Sequence, residues 1–403
     1  MLAAPVSAAT VEYANARWFD GTRFHTGTRY AVDGVLQTQR PAQVDARVDL
    51  GARWVVPPYG EAHNHNLQNP YGWDNFHGRY VEDGVFYAAM MCGSPDQVEV
   101  VKEKAKHGGK VGVAFASACI SSSDGHPLGM TLQSWRSIDP ELQPEHLYDR
   151  SYLVMDQVAD VDRKWPLVRM ARPDLVKAIL VHSEDASHRG DPAYFGKNGL
   201  EPAVLDAVVA KAHKERLRVA VHVTSAADFA AAVAAGADII AHLPGNHFFK
   251  GKTAADYRLS DTAIAQAARR GVVVVTTAVL AKAIPGEDPA KQVPVQALQR
   301  ENLQRLKAAG VRLALGRDLF GNTVLAEVDY LRTLDVFTPA ELLRLLSQDT
   351  PRLVFPDRRI GCLEAGCEAD FLVLEADPLA DLDALRRIYT RVLDGAALPA
   401  IAR

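Results

Sequence analysis

Apolar, β-branched runs alternate with helical patterns along most of the chain. The apolar runs are mostly continuous, with few of the alternating polar positions that a half-exposed strand would have. Such runs are typical of parallel strands covered on both faces. We predict strands at residues 54–57, 85–91, 110–118, 176–181, 217–223, 238–243, 271–278 and 311–316.

Between these runs lie amphipathic segments with recognisable helix ends. Ser94 stands before a predicted helix at 95–106, and Ser225 and Gly236 flank another at 226–235. Further helices are predicted at 261–270 and 295–309. Because each helix returns the chain to a strand, the pattern predicts a closed (β/α)8 TIM barrel. The long connection at 119–175 predicts an insertion that covers the substrate.

The two ends of the chain differ from this repeat. Short strand-like pieces occur before residue 54 and after about residue 358, and neither end is large enough to bury a core alone. We predict that they combine into a small β-sandwich. The predicted domains are therefore a composite sandwich, 1–53 with 358–403, and a barrel, 54–357.

Two histidines, His63 and His65, directly follow the first apolar run. Side chains two apart on a strand point to the same face. Both imidazoles would then enter the mouth of the barrel, which is the usual catalytic face of this architecture. Alone, the pair also fits two surface histidines in a turn.

Three further strand ends carry residues of the same kind. His222 and His242 end the fifth and sixth predicted strands, and Asp318 follows the eighth. Neutral imidazole and carboxylate are donors that suit zinc, iron or manganese. Because strand ends of one barrel face meet in space, the five residues predict a metal site.

This layout resembles the amidohydrolase superfamily, in its prolidase-like and imidazolonepropionase-like members. The C-terminal segments 361–374 and 392–395 also resemble that superfamily's sandwich. The resemblance covers nearly the whole chain and implies a hydrolase with a divalent metal, expected to be zinc, in one or two ions per chain. It also implies the barrel with its companion sandwich.

Lys177 matches the position at which the dinuclear members carry a lysine carboxylated by CO2. A lysine inside an apolar strand is costly to bury as an unpaired ammonium. The resemblance then implies one metal held by His63, His65, Lys177 and Asp318, and a second by Lys177, His222 and His242. The alternative is a mononuclear centre with an unmodified Lys177. The segment 182–185 departs from the Gly-rich turn of many relatives, which leaves the substrate class open.

The chemistry expected of such a centre is hydrolysis of an amide-type carbon–nitrogen bond by metal-activated hydroxide. Asp318 would take the proton of the water and pass it to the leaving amine, and a histidine such as His242 or the metal would polarise the carbonyl. A dipeptide, an N-acyl amino acid or a cyclic amide would suit. An ester or lactone hydrolase is the alternative enzyme, and a barrel kept only as a scaffold is the non-catalytic one.

Several polar residues in the predicted loops are candidates for substrate binding, because such loops carry a disproportionate share of binding residues. A solvated loop position is the alternative for each. These candidates are Asn66, His182, Glu184 and His247, with His126 as a similar residue in the long third loop.

Charge and composition narrow the partners. The 403 residues carry a formal net charge of −4, which gives no electrostatic reason to expect nucleic acid. No apolar run is long enough to span a bilayer, so we expect a small-molecule substrate and no membrane partner. The oligomeric state cannot be read from the sequence.

The first ten residues and the cysteines leave the compartment open. Residues 1–10 are small and apolar, as at the end of a trimmed export signal, but they also fit a plain disordered terminus. The first alternative implies a periplasmic or secreted protein and the second a cytoplasmic one. We expect Cys92, Cys119, Cys362 and Cys367 to be buried thiols, since their spacing fits no disulfide scaffold or zinc motif.

Overall fold

The computed structural model of the protein describes residues 9–107, 110–170, 172–283 and 289–399. The possible export signal therefore lies almost entirely outside the described residues. Within the described part of the chain, no helix is both long and apolar enough to cross a membrane.

Eight parallel strands form the barrel, numbered here as barrel strands 1 to 8. They are Tyr59–Asn64, Val85–Met90, Gly112–Phe115, Leu175–Ile179, Arg218–His222, Ile239–Ile240, Val273–Val275 and Arg312–Ala314. Neighbouring strands pair in chain order, and a bridge between Ala116 and Leu175 joins the third to the fourth. The amide of Ala62 donates to the carbonyl of Leu315 at 2.8 Å. This bond joins strand 1 to the chain after strand 8, so the predicted (β/α)8 barrel is confirmed.

Helices follow the barrel strands and cover the outside of the barrel. Those predicted at 95–106, 226–235 and 261–270 are confirmed with the same bounds, and the one predicted at 295–309 begins earlier. The α-helices are Pro70–Glu82, Pro95–Lys106, Leu128–Trp135, Val158–Arg169, Pro202–Lys214, Ala226–Ala235, Ala254–Tyr257, Asp261–Arg270, Leu280–Ala283, Pro289–Ala308, Leu325–Leu334, Pro339–Arg344 and Thr350–Val354.

A second, seven-stranded sheet combines the two ends of the chain. In spatial order its strands are Ala396–Ala397, Ile388–Leu393, Phe371–Leu374, Ala46–Val56, Val11–Phe19, Phe24–Val32 and Val35–Gln37. The ring of Phe371 packs edge-on against Tyr13 at 4.9 Å and against Trp18 at 5.4 Å between centroids. The aromatic core thus joins both termini, and the predicted composite sandwich is confirmed.

The prediction of a barrel strand at 54–57 was wrong. Val56 pairs with Leu372, so this run is the end of a sandwich strand, and barrel strand 1 is Tyr59–Asn64. An apolar run that is buried in either sheet has the same sequence pattern, which is why the two were confused. The domain division at 53/54 stays a prediction, and this pairing favours a boundary after residue 56.

The prediction of four buried thiols was wrong. Cys92 is bonded to Cys119, and Cys362 to Cys367. The Cα atoms of the pairs are 5.2 and 5.9 Å apart, which is within the range that a disulfide requires. The first pair is brought together by adjacent barrel strands, and the second lies within a short loop of the sandwich. The proximity of the cysteines in either pair cannot be predicted from cysteine spacing alone.

Candidate functional site

The imidazoles of His63 and His65 lie at the C-terminal end of barrel strand 1. The Nδ1 atom of His63 lies 2.9 Å from the carbonyl oxygen of Ala241, and Nδ1 of His65 lies 2.8 Å from Oε1 of Gln68. These contacts anchor one nitrogen of each ring. The other nitrogen, Nε2, of each ring is thereby turned toward Asp318, at 3.2 Å from His63 and 2.9 Å from His65.

Asp318 follows barrel strand 8 in a left-handed backbone conformation, with φ of 55°. Aspartate tolerates this region better than most residues. Its amide donates to the carbonyl of His63 at 3.1 Å, which fixes the loop against strand 1. The neighbouring imidazoles of His63 and His65 hold the pKa of the Asp318 carboxyl well below its usual range, although burial acts in the opposite direction. The carboxylate is therefore ionised.

His242 and His222 complete the histidine cluster from strands 6 and 5. The His242 ring lies 4.5 Å from that of His63 and 4.4 Å from that of His222, between centroids. Threonines contact both: Oγ1 of Thr277 lies 3.0 Å from Nδ1 of His242, and Oγ1 of Thr224 lies 3.3 Å from Nε2 of His222. The structure therefore brings together all five residues that the sequence predicted from strand ends.

Burial keeps these imidazoles neutral. It lowers the pKa of His63 to about 4 and that of His222 and His242 well below the ordinary value. A neutral imidazole keeps a lone pair for a cation. One donor atom each from His63, His242 and Asp318 lie within 4.8 Å of one another. In donor type and spacing these residues fit a divalent metal ion.

Lys177 enters the same cluster from barrel strand 4. Its Nζ lies 3.4 Å from Nε2 of His63, and the side chain is buried. Among the described residues no carboxylate lies within ion-pair distance of this amine. Desolvation lowers the pKa of Lys177 to about 7, while Asp318 acts in the opposite direction. A large fraction of this amine is therefore neutral at physiological pH.

The four predicted substrate-binding residues lie in loops at this end of the barrel. In the part of the chain that the structure describes, none of them forms a hydrogen bond or ion pair with the six predicted ligands. Asn66 holds the loop after Asp318, since its amide donates to Asn322 and accepts from Gly321, both at 3.0 Å.

The other three candidates form a neighbouring group. Nδ1 of His182 lies 3.2 Å from Glu184, whose other oxygen accepts from Ser225 at 2.9 Å. The ring of Phe249 lies 4.8 Å from that of His182 and 4.5 Å from that of His247. This group borders the histidine cluster through Ser225, three residues after His222.

His126, the additional candidate, is more central than the sequence indicated. Its ring stacks on that of His222 at 5.1 Å between centroids, and burial lowers its pKa to about 4. Its amide donates to the carbonyl of Asn198 at 2.7 Å, so the long third loop is fixed over the cluster. A histidine in a predicted loop carries no signal of such stacking, because the contact joins positions far apart in the sequence.

Two carboxylates below the cluster were not singled out by the sequence. Glu61 lies on strand 1 and is fully buried, and burial raises its pKa to about 7. Glu327 accepts hydrogen bonds from the amides of Ala278 and Val279, at 2.8 and 2.7 Å, and so fixes the chain after strand 7 beside Thr277. The apolar setting of Glu61 on its strand was the available sequence signal.

Comparison with known proteins agrees with this architecture. The profile described as "Amidohydrolase family" matches residues 169–397, more than half of the chain. An ochratoxinase of Aspergillus niger is 26% identical over 303 residues, which is 71% of this chain and 59% of the relative. The chain therefore spans 59% of the length of that relative.

Solved structures show the same fold. The A. niger ochratoxinase has a TM-score of 0.74 at 19% identity, covering 97% of this chain and 96% of its own. A Xaa-Pro dipeptidase with bound methionine has a TM-score of 0.74 at 15% identity, covering 97% and 100%. A molinate hydrolase has a TM-score of 0.70 at 16% identity, covering 97% and 95%.

Proposed function

Because the chain belongs to the amidohydrolase family, we propose that it is a metal-dependent hydrolase that cleaves an amide-type carbon–nitrogen bond in a small molecule. The observation that carries the proposal is the convergence of His63, His242 and Asp318, whose donor atoms lie within 4.8 Å of one another. A barrel kept only as a scaffold has no need of such a cluster of buried and partly buried ionisable groups, because ionisable groups are costly to bury.

The proposed centre holds two ions, with zinc as the expected metal. His63, His65, Lys177 and Asp318 would hold one, and Lys177, His222 and His242 the other. When bound, such ions lower the pKa of water and polarise a substrate carbonyl. The contacts of Ala241, Gln68 and Thr277 with the imidazoles support this assignment, since partners of this kind orient ligands and tune their basicity.

We assign Lys177 as the bridging ligand, carboxylated on Nζ. Support comes from its burial, from its Nζ 3.4 Å from His63, and from the lack of an ion-pair partner among the described residues. Only the neutral amine reacts with CO2, and burial favours that form. Addition of CO2 to Nζ releases one proton and would give a carbamate, an anion whose two oxygens can serve as metal ligands.

Asp318 is the proposed general base and acid. Its carboxylate is ionised and close to two imidazoles, so it can accept a proton from the attacking water and return it to the leaving nitrogen. Leaving-group protonation matters more for an amine than for an alkoxide. Parallel rates on matched amide and ester substrates therefore test amide specificity: an Asp318 variant should lose more of the amide rate.

The test of Asp318 uses a matched control. We expect Asp318→Asn to lower kcat for a dipeptide or N-acyl amino acid by roughly 10²–10⁴-fold, the range of general acid–base catalysis. Asp335→Asn is the control, because Asp335 shares the left-handed conformation, with φ of 53°, at an exposed helix end. Metal content is measured on both variants. Full turnover by a metal-loaded Asp318→Asn protein would refute the proposed role.

A further inference from the structure

A cavity of about 820 Å³ opens at the N-terminal face of the barrel. It is lined by the first residues of strands 5 to 8, among them Arg218 and Arg312. Arg218 and His222 are the two ends of strand 5, and four steps of about 3.3 Å separate them by roughly 13 Å. The cavity is therefore distinct from the histidine cluster at the opposite face.

The lining is strongly cationic, although the chain as a whole is acidic. Six Arg or Lys side chains face three Asp or Glu side chains. The three carboxylates already have partners: Asp238 lies 2.9 Å from His213, Asp349 lies 3.2 Å from Arg344, and Glu341 lies 2.7 Å from Lys307.

Four arginines remain without a carboxylate partner. Among the described residues, none of Arg218, Arg270, Arg312 and Arg352 has a carboxylate oxygen within 4.0 Å. A cleft in which one sign of charge is in excess attracts ligands of the opposite charge. Arg218 is half-buried and desolvation lowers its pKa, while the carboxylates of Asp238, Asp357 and Asp174 act in the opposite direction.

Backbone carbonyls hold these guanidinium groups in place. Arg218 donates to Leu353 at 2.6 Å and to Val354 at 3.3 Å, and Arg352 donates to Gly361 at 2.6 Å. Arg270 donates to the carbonyls of Val233 and Ala234, at 2.9 and 3.0 Å. Each group has five N–H donors, so donors remain for a ligand on groups that are already oriented.

Helix ends account for part of this charge only. Four helices end beside the cavity, at Lys214, Ala235, Arg270 and Ala308. Each C-terminus carries about half a negative charge, so together they offset about two of the three excess positive charges of the lining. About one positive charge is therefore left at this cavity, where the side chains of Arg270, Arg312 and Arg352 are exposed.

We propose that this cavity binds a compact polyanion carrying phosphate or carboxylate groups. The arginine fork matches both groups with paired hydrogen bonds. The site lies at the N-terminal face of the barrel, whose residues typically contribute to stability, and is opposite the proposed hydrolytic centre. Its ligand would bridge Arg218, Arg270, Arg312 and Arg352, which come from four different elements of the barrel.

The test measures binding of inorganic triphosphate and of 1,3,5-benzenetricarboxylate to the metal-loaded protein at constant ionic strength. We expect a rise in Tm with the wild type, and affinity at least tenfold weaker in the double variant Arg312→Gln/Arg352→Gln. The double variant Arg312→Lys/Arg352→Lys keeps the positive charges but lacks the guanidinium groups. Its affinity should lie between that of the wild type and that of the glutamine variant. Arg136→Gln is the matched control, because this exposed arginine also donates to a carbonyl, that of Leu142, away from the cavity.

Both ligands also bind divalent cations, so metal content is measured after each titration and sulfate serves as a weakly chelating probe. Tighter binding of either ligand by the wild type than by the glutamine variant supports the site. The ligand that binds more tightly shows whether the site prefers phosphate or carboxylate. Equal binding by wild type and the glutamine variant would overturn the proposal, as would no binding beyond that of sodium chloride. Hydrolysis by the glutamine variant should stay within twofold of wild type, which separates this proposal from that of the active centre.

Discussion

At the scale of single residues, the convergence of the five strand-end residues was predictable, and the environment of His126 was not. A histidine or aspartate that ends an apolar run can be recognised from the run itself, as at His222 and Asp318. His126 stacks on His222 across the barrel mouth at 5.1 Å, a contact that depends on how the long third loop folds back. The contacts of Asn66 were likewise not predictable. Its side-chain amide holds the loop after Asp318 through Asn322 and Gly321.

The lowered pKa of His126, whose side chain is partly buried, predicts a pH dependence for the stability of the metal-free protein. Its pKa is about 4 when folded and about 6.5 when unfolded, so the unfolded chain binds more protons between these values. Stability is therefore full above about pH 6.5 and falls as pH decreases toward 4. We expect His126→Gln to reduce the slope of unfolding free energy near pH 5 by about 1 kcal/mol per pH unit. Chemical denaturation at several pH values measures this slope, and an unchanged slope would contradict the lowered pKa of His126.

Lys177 carries the second residue-scale prediction. If Lys177 carries the proposed bridging carbamate, Lys177→Ala should lower metal content from two ions to at most one and reduce kcat by about 100-fold or more. Acetate or propionate should restore part of the activity by supplying a carboxylate. Lys106→Ala, at an exposed helix end, is the control. Two tightly bound ions in Lys177→Ala would show that this lysine is no ligand.

At the scale of elements, most barrel strands could be predicted from apolar runs, and several helices from their amphipathic pattern and capping residues. The exceptions share one cause, because local pattern cannot say which partner an element meets. The run ending at Val56 pairs in the sandwich, and Cys92 meets Cys119 only because two strands are adjacent. Each outcome needs the three-dimensional arrangement.

The close approach of strands 8 and 1 gives the prediction at this scale. A Cβ on Gly316 would lie 2.7 Å from Cβ of His63 and 2.9 Å from its amide nitrogen. Gly316→Ala should therefore displace His63, weaken metal binding by about tenfold or more, and cost about 1–3 kcal/mol of stability.

Gly78→Ala is the matched control for that variant, since a Cβ there meets no atom within 4 Å on an external helix. It should keep full metal affinity and raise stability slightly, because alanine is the better helix former. Metal titration and denaturation of both variants decide the matter. A Gly316→Ala protein with wild-type metal affinity would show that the strand contact does not position His63.

At the scale of the whole molecule, the barrel closes through strands 1 and 8 and both termini meet in one sheet. That closure brings residues from strands 1, 4, 5, 6 and 8 to one face, which is how positions 63 to 318 come to share a site. The order of βα units and the strand-like ends were enough to predict this arrangement. The substrate was not predictable, because it depends on loop shape rather than on the repeat.

The most direct test of the central claim is a zinc titration of the metal-stripped protein, followed by hydrolysis of dipeptides and N-acyl amino acids. We predict no turnover without metal, and activity that rises with added zinc until two equivalents per chain are bound. Saturation at one equivalent would favour the mononuclear centre with unmodified Lys177. Full amide hydrolysis by the metal-free protein would contradict the proposed metal dependence.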